Sequence, residues 1–276
     1  MDLAPATGHR TGTFLATNEH RRFVEFACAV RRHRYIGLCY GPAGVGKTLS
    51  ARRLAHWDVA EPLLTIWGPR DASDAVVYNS LFKARAVFYT PTVSGPPREV
   101  RSDLDNILRR VEGCIDLALN PDKVLPDQHP TPHVELLVID EAERLSTQSL
   151  EHIRDMFDRT GIGVILIGMP GIERRLERYP QLYSRIGFAH HYRTLKGDEL
   201  TFVLTRHWRK FGLVLDEADF TDHQAITAIA RITGDNFRLL HRLFVQIERI
   251  MRINNLTAVT EDVVNAARST LVIGAK

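Results

Sequence analysis

Two short stretches carry side chains whose types and spacing could do chemistry. The first, Gly41-Pro42-Ala43-Gly44-Val45-Gly46-Lys47-Thr48, fits G-x-x-x-x-G-K-[ST], a loop that holds the phosphates of a nucleotide. Its glycines let the backbone approach phosphate oxygens, so that amide N–H groups point at them. Lys47 adds a full positive charge near the β- and γ-phosphates, and Leu49 completes the expected nucleotide-contacting set. Thr48 is placed to ligate Mg²⁺ through its hydroxyl. The second stretch, Val134 to Glu141, is an apolar run that ends in two acids. Asp140 there is a Mg²⁺-holding carboxylate, and Glu141 a base that orients and deprotonates an attacking water. Taken singly, the first could be an accidental glycine-rich turn. The second could be a strand leading into an acidic helix cap. Together, they point to binding and hydrolysis of a nucleoside triphosphate.

Positioning those groups requires specific elements. Tyr35–Tyr40 reads as a buried strand before the loop, and Leu49–Ala55 as a helix behind it with Lys47 and Thr48 in its first turn. A helix is expected from Asn18, with Phe23, Phe26, Ala27 and Val30 on one face and five arginines on the other. Leu63–Trp67 reads as a second strand, ending at Gly68-Pro69-Arg70, and helices are expected over 72–86 and 104–119. The proline-rich segment 120–133 is a loop, so His129 and His133 are not expected to share a metal. A helix over 147–159, a strand over 164–167 and a short helix over 172–179 follow. This alternation predicts an α/β fold with a parallel sheet and crossover helices. After Leu195 only helical stripes remain, with Gly212 and Gly234 as breakers and Thr260 as an N-cap. The expected organisation is a tail over 1–17, a nucleotide-binding α/β domain over 18–195 and a small all-helical lid over 196–276.

The chain of 276 residues carries a net charge of only +3, but its cations are 30 Arg and 6 Lys. Arginine forks suit phosphate partners, and GC-rich coding would produce the same skew. Cys28, Cys39 and Cys114 have no metal-type spacing, so neither zinc nor structural disulfides are expected. With no leader-like apolar run and no membrane-length stretch, the expectation is a cytoplasmic protein.

With these motifs and the helical C-terminal region, the chain resembles an AAA+ ATPase. More narrowly it resembles the DNA-transposition ATPases, the group of phage Mu B, the Tn7-type C protein and TniB. Cys39–Ala55, Leu137–Leu145, Thr160–Gly168 and Leu182–Ile186 carry the resemblance. It implies that Arg185 reaches a neighbouring subunit's γ-phosphate, with Arg174, Arg175 and Arg178 as rivals, and that Arg238 senses nucleotide from the lid. It implies an ATP-dependent homo-oligomer, a ring or a filament, that follows duplex DNA without reading its sequence and is nucleoid-associated when bound to it. Such an assembly recruits a transposase, with a target-selection protein as a further partner, and hydrolysis disassembles it. Arg70, Lys83, Arg98 and Arg101 are the implied DNA contacts. Relatives often place a polar residue after the strand 164–167, where this chain has Gly168-Met169. That departure implies slow hydrolysis or a substitute group from elsewhere. The competing readings are an origin-recognition or loader-type ATPase and a nucleotide-gated protein-interaction switch that never touches DNA.

Overall fold

Apolar runs without polar alternation make strands that must be covered on both faces, as in a parallel sheet flanked by helices. The computed structural model, which describes residues 14–66, 68, 71–93, 95–122 and 132–271, contains such a sheet. Its strands are β1 (Ile36–Tyr40), β2 (Ala86–Tyr89), β3 (Leu136–Ile139), β4 (Gly163–Gly168) and β5 (Ile186–His191), in the order β2-β3-β4-β1-β5. Every neighbouring pair is parallel. β3 and β4 are buried along their whole length.

The layers over the sheet are α1 (Asn18–His33), α2 (Lys47–Leu54), α3 (Trp57–Thr65), α4 (Ala75–Ala84), α5 (Pro97–Leu119), α6 (Thr147–Thr160), α7 (Ile172–Leu176) and α8 (Pro180–Tyr183). Thr17 caps α1 by accepting from the His20 amide at 3.1 Å, and the helix buries Phe23, Phe26, Ala27 and Val30. Residues 1–13 of the expected tail lie outside the described residues, as does His129. Leu15 packs against the C-terminal helical core.

The structure corrects the sequence reading at three places. Leu63–Thr65 is the end of helix α3, not a strand. Trp57, Ala60 and Leu64 are buried at helical intervals, while Ile66 is 81% exposed. A short apolar run does not reveal its period, and here the residues ahead of it decide the face. The place beside β3 goes instead to β2, whose first residue was expected to end a helix. Arg85, at φ 46°, terminates α4, and its carbonyl accepts from the Glu135 amide at 2.8 Å, setting the β2–β3 register. β5 is the third difference. It is an edge strand that alternates half-buried and exposed residues and includes Gly187, His190 and His191, so it carries no apolar run.

Beyond Tyr192 the chain builds a second core. Helices α9 (Asp198–Lys210), α10 (Phe220–Thr233), α11 (Phe237–Ile253) and α12 (Glu261–Ser269) bury Val203, Leu204, Trp208, Ile229, Phe244, Ile247 and Val264 together. Asp219, Asn236 and Thr260 cap the last three helices with side-chain oxygens.

His207 lies in this second core, stacked on Phe244 with ring centroids 4.0 Å apart. Burial pushes its pKa down to about 4, and the nearby Lys210 and His241 push in the same direction. Unfolded, the imidazole titrates near 6.5, so as pH falls the unfolded state takes up a proton that the folded state refuses. Stability from this group is fully present above about pH 6.5, and up to about 3 kcal/mol of it is lost as pH falls to about 4. His207→Leu is expected to flatten the pH dependence of thermal unfolding across that window. An unchanged slope would contradict a neutral buried imidazole.

Candidate active site

The phosphate loop leaves β1 at Gly41, where the chain is pressed against Tyr192. A Cβ at Gly41 would sit 2.2 Å from the Tyr192 carbonyl oxygen, so only glycine fits. Tyr192 is held there because its amide donates to the Tyr40 carbonyl at 2.8 Å and its hydroxyl lies 2.7 Å from the Ser50 hydroxyl. Gly44 and Gly46 adopt φ of 78° and 111°, left-handed values that other residues reach only with strain. Gly46 precedes α2 without a side-chain cap, which leaves the first amides of that helix available to an anion.

Lys47 is buried and curls over the loop, its Nζ donating to the Gly41 carbonyl at 2.6 Å and the Pro42 carbonyl at 2.8 Å. Burial holds its pKa below the ordinary lysine value. The Asp140 and Glu143 carboxylates draw it back up, and the Arg238 charge lowers it further. Thr48 Oγ1 donates to Asp140 Oδ2 at 2.6 Å. A hydroxyl and a carboxylate in contact beside a phosphate loop are a donor set that fits Mg²⁺, which takes few protein oxygens and completes its shell with water and phosphate. Among the described residues no cluster of three His, Cys, Asp or Glu forms a metal site.

Asp140 follows the last residue of β3 and is 3% exposed; its other oxygen accepts from the Glu141 amide at 2.9 Å. Glu141 adopts φ 49°, an unusual left-handed conformation for a non-glycine residue of the kind found at functional sites. That turn carries its side chain outward, where it is half-exposed and ion-paired with Arg144. Arg144 in turn donates to the Pro91 carbonyl at 2.9 Å.

The C-terminal helices reach the loop through two residues. Asn236 Nδ2 donates to the Ala43 carbonyl at 2.6 Å, and the Arg238 amide donates to the Gly44 carbonyl at 2.9 Å. A Cβ on Gly44 would meet Asn236 Oδ1 at 2.6 Å and Arg238 Cβ at 2.9 Å, so Gly44 also makes room for this contact. Arg238 is thus brought to the site. Asn236 was missed as a site residue, although an Asn directly before a helix is a readable capping signal.

The remaining candidates separate. Leu49 is half-exposed beside the loop. Arg185 forms two parallel bonds to Asp158, at 2.6 and 2.7 Å, within its own chain. Of its rivals, Arg175 is committed to the Glu143 and Leu145 carbonyls, whereas Arg174 and Arg178 are exposed with no partner among the described residues. Arg98 and Arg101 line one shallow groove along α5 together with Arg109. Lys83 is on the last turn of α4, close enough to His56 to help hold that imidazole low, after burial and Arg53. Arg70 lies outside the described residues.

A family model described as "AAA domain" matches residues 30–176. A Staphylococcus aureus "Potential ATP-binding protein" is 42% identical over 269 residues, covering 95% of this chain and 97% of that protein. The Haemophilus influenzae "Mu-like prophage FluMu DNA transposition protein B" is 25% identical over 213 residues, 74% of this chain and 62% of that one. Among solved structures, the Thermotoga maritima RuvB Holliday junction branch migration motor superposes with a TM-score of 0.55 at 17% identity, covering 92% of this chain and 68% of the other. The Aeropyrum pernix ORC2 protein gives 0.55 at 14% identity, covering 96% and 71%. These two likenesses are of fold. No helix among the described residues is long and apolar enough to cross a membrane. The glycine loop with its lysine, the threonine–aspartate contact and the matched span of sheet together make this chain a member of the AAA family of ATPases.

Proposed function

We propose that the protein is an ATP-dependent, DNA-binding regulator of transposition that oligomerises on target duplex. In this reading, residues 18–195 bind and hydrolyse ATP, and residues 196–276 form a lid that reports nucleotide occupancy through Arg238. Lys47 and the loop amides grip the triphosphate. Thr48 and Asp140 would hold Mg²⁺, which when bound offsets phosphate charge. Glu141, released from Arg144, takes the proton of the attacking water as its oxygen bonds to the γ-phosphorus. The bond from that phosphorus to the β–γ bridging oxygen breaks, and its electron pair stays on ADP. An arginine from a neighbouring subunit, Arg185 once freed from Asp158, would neutralise charge developing on the γ-phosphoryl group.

The likeness to the transposition protein B carries the DNA and transposition part of this reading. The groove of Arg98, Arg101 and Arg109 on α5 supports it, because exposed guanidinium groups along one helix face can contact phosphates without reading bases. Asp105, 3.9 Å from Arg101, lies among them and would have to give way to a phosphate. A transposase and a target-selection protein are the implied partners of the DNA-bound form.

Filter binding to random duplex, with and without a non-hydrolysable ATP analogue, tests the reading. Retention stimulated by the analogue is expected, and its absence would leave a nucleotide-gated switch that does not use DNA. The arginine contacts have their own expected result. Arg98→Ala with Arg101→Ala should reduce the slope of log affinity against log salt by roughly 2 per contacting protomer. An unchanged slope would remove both from the interface.

A further inference from the structure

β4 ends at Gly168-Met169, where the transposition ATPases that this chain resembles often carry a polar side chain. Gly168 pairs in register with Tyr40, the residue just before Gly41, so anything projecting from this tip lies next to the loop. A Cβ added to Gly168 would meet Ile172 Cδ1 at 2.5 Å and Glu143 Oε2 at 2.9 Å. The space at the strand tip is therefore shared by the Ile172 side chain and the Glu143 carboxylate, the latter delivered from the short turn Ala142–Arg144 that follows β3. That turn is fastened from two sides. Arg175 on α7 donates to the Glu143 carbonyl at 2.6 Å and also to the Leu145 carbonyl, and Arg144 reaches the Pro91 carbonyl. Glu143 is exposed and has no ion pair among the described residues, in contrast to Glu141, which faces Arg144.

From this juxtaposition we infer that Glu143 replaces the missing polar group at the tip of β4 and orients the attacking water beside the γ-phosphate. Resting on the ATPase reading, it gives the two acids of the turn different tasks. Glu141 takes the proton, while Glu143 only accepts a hydrogen bond from the same water. The glycine at 168 is then part of the device, since a side chain there would crowd both Ile172 and the carboxylate. The negative potential that Glu143 exerts on Lys47 is consistent with a carboxylate facing the phosphate cradle.

The test compares Glu143→Ala, Glu143→Gln, Gly168→Asn and the double variant Glu143→Ala/Gly168→Asn in the full chain. Glu143→Ala is expected to lower kcat by more than about tenfold with KM for ATP little changed, as loss of a group that orients a reactant does. Glu143→Gln, whose carbonyl still accepts a hydrogen bond, should retain most of the rate. The double variant should regain part of what Glu143→Ala loses, because an amide on the strand tip restores an acceptor once the Ile172 Cδ1 methyl, the end of a flexible side chain, turns aside. Calorimetry gives a readout apart from turnover. Both substitutions of Glu143 should tighten binding of a magnesium–ATP analogue several-fold and leave ADP unchanged, because only the γ-phosphate adjoins the carboxylate. Wild-type turnover in Glu143→Ala, or equal changes for analogue and ADP with no regain in the double variant, would overturn the inference. Should the wild-type chain bind no magnesium–ATP at all, the ATPase reading itself would fall instead.

Discussion

Lys47→Ala is expected to weaken magnesium–ATP binding at least about 100-fold, equivalent to roughly 2.7 kcal/mol, while the protein stays folded. The size follows from what the ammonium group does. It is the one full positive charge inside the loop, it is buried, and its present partners are two neutral carbonyls that it can exchange for phosphate oxygens. Charge-assisted bonds of this kind are each worth about 1.5–3 kcal/mol. The fold should survive because the loop is shaped by other contacts. Tyr192 presses on Gly41, Asn236 holds the Ala43 carbonyl and the Arg238 amide holds that of Gly44. Isothermal calorimetry with magnesium–ATP, beside a thermal melt, measures both halves. Affinity within threefold of the wild type would break the assignment of this loop to the triphosphate. In the proposed function the same variant loses ATP-dependent assembly, which a sizing experiment with and without nucleotide would show.

Glu141→Gln should cut turnover by roughly 100- to 1,000-fold and leave ATP binding in place, the usual range for loss of a general base. Glutamine keeps the shape and the left-handed turn but cannot accept a proton. Its ion pair with Arg144 is half-exposed, so breaking it costs at most about 1 kcal/mol of stability. In the proposed function ATP-bound assemblies on DNA should then accumulate, visible as filaments or rings in electron micrographs. Undiminished phosphate release would take the base role from Glu141. Comparison with Glu143→Ala separates the two acids: the base variant gains nothing from Gly168→Asn, whereas the water-orienting variant does.

Much of the site is visible in local sequence because its chemistry is local. The three loop glycines, Lys47 and Thr48 sit within eight residues, and the backbone geometry they need is a property of those residue types. The buried strands β1, β3 and β4 are legible for a similar reason, since unbroken apolar runs have no exposed face to offer. The helical stripes after Leu195 are equally plain, and α9 to α12 follow them. Leu63–Thr65 reads as a strand in isolation because a short apolar run has no visible period until the preceding Trp57 and Ala60 are known to share its face. β5 was passed over because an edge strand is only half covered, and its glycine and histidines resemble a loop.

What the sequence determined by itself, then, was the phosphate loop, the aspartate at a strand end, and the change from alternating strands and helices to helices alone. Each depends on residues close together in the chain. The tertiary structure alone decided which distant groups meet there. Asn236 touches Ala43 across 193 residues, whereas the contact of Thr48 with Asp140 across 92 is expected from their shared magnesium role. It also turned Glu141 toward Arg144, set the Glu143 carboxylate at Gly168, and tied Arg185 to Asp158. Such choices depend on strand order, on the turn after β3 and on packing between layers. No spacing along a single stretch of chain records them.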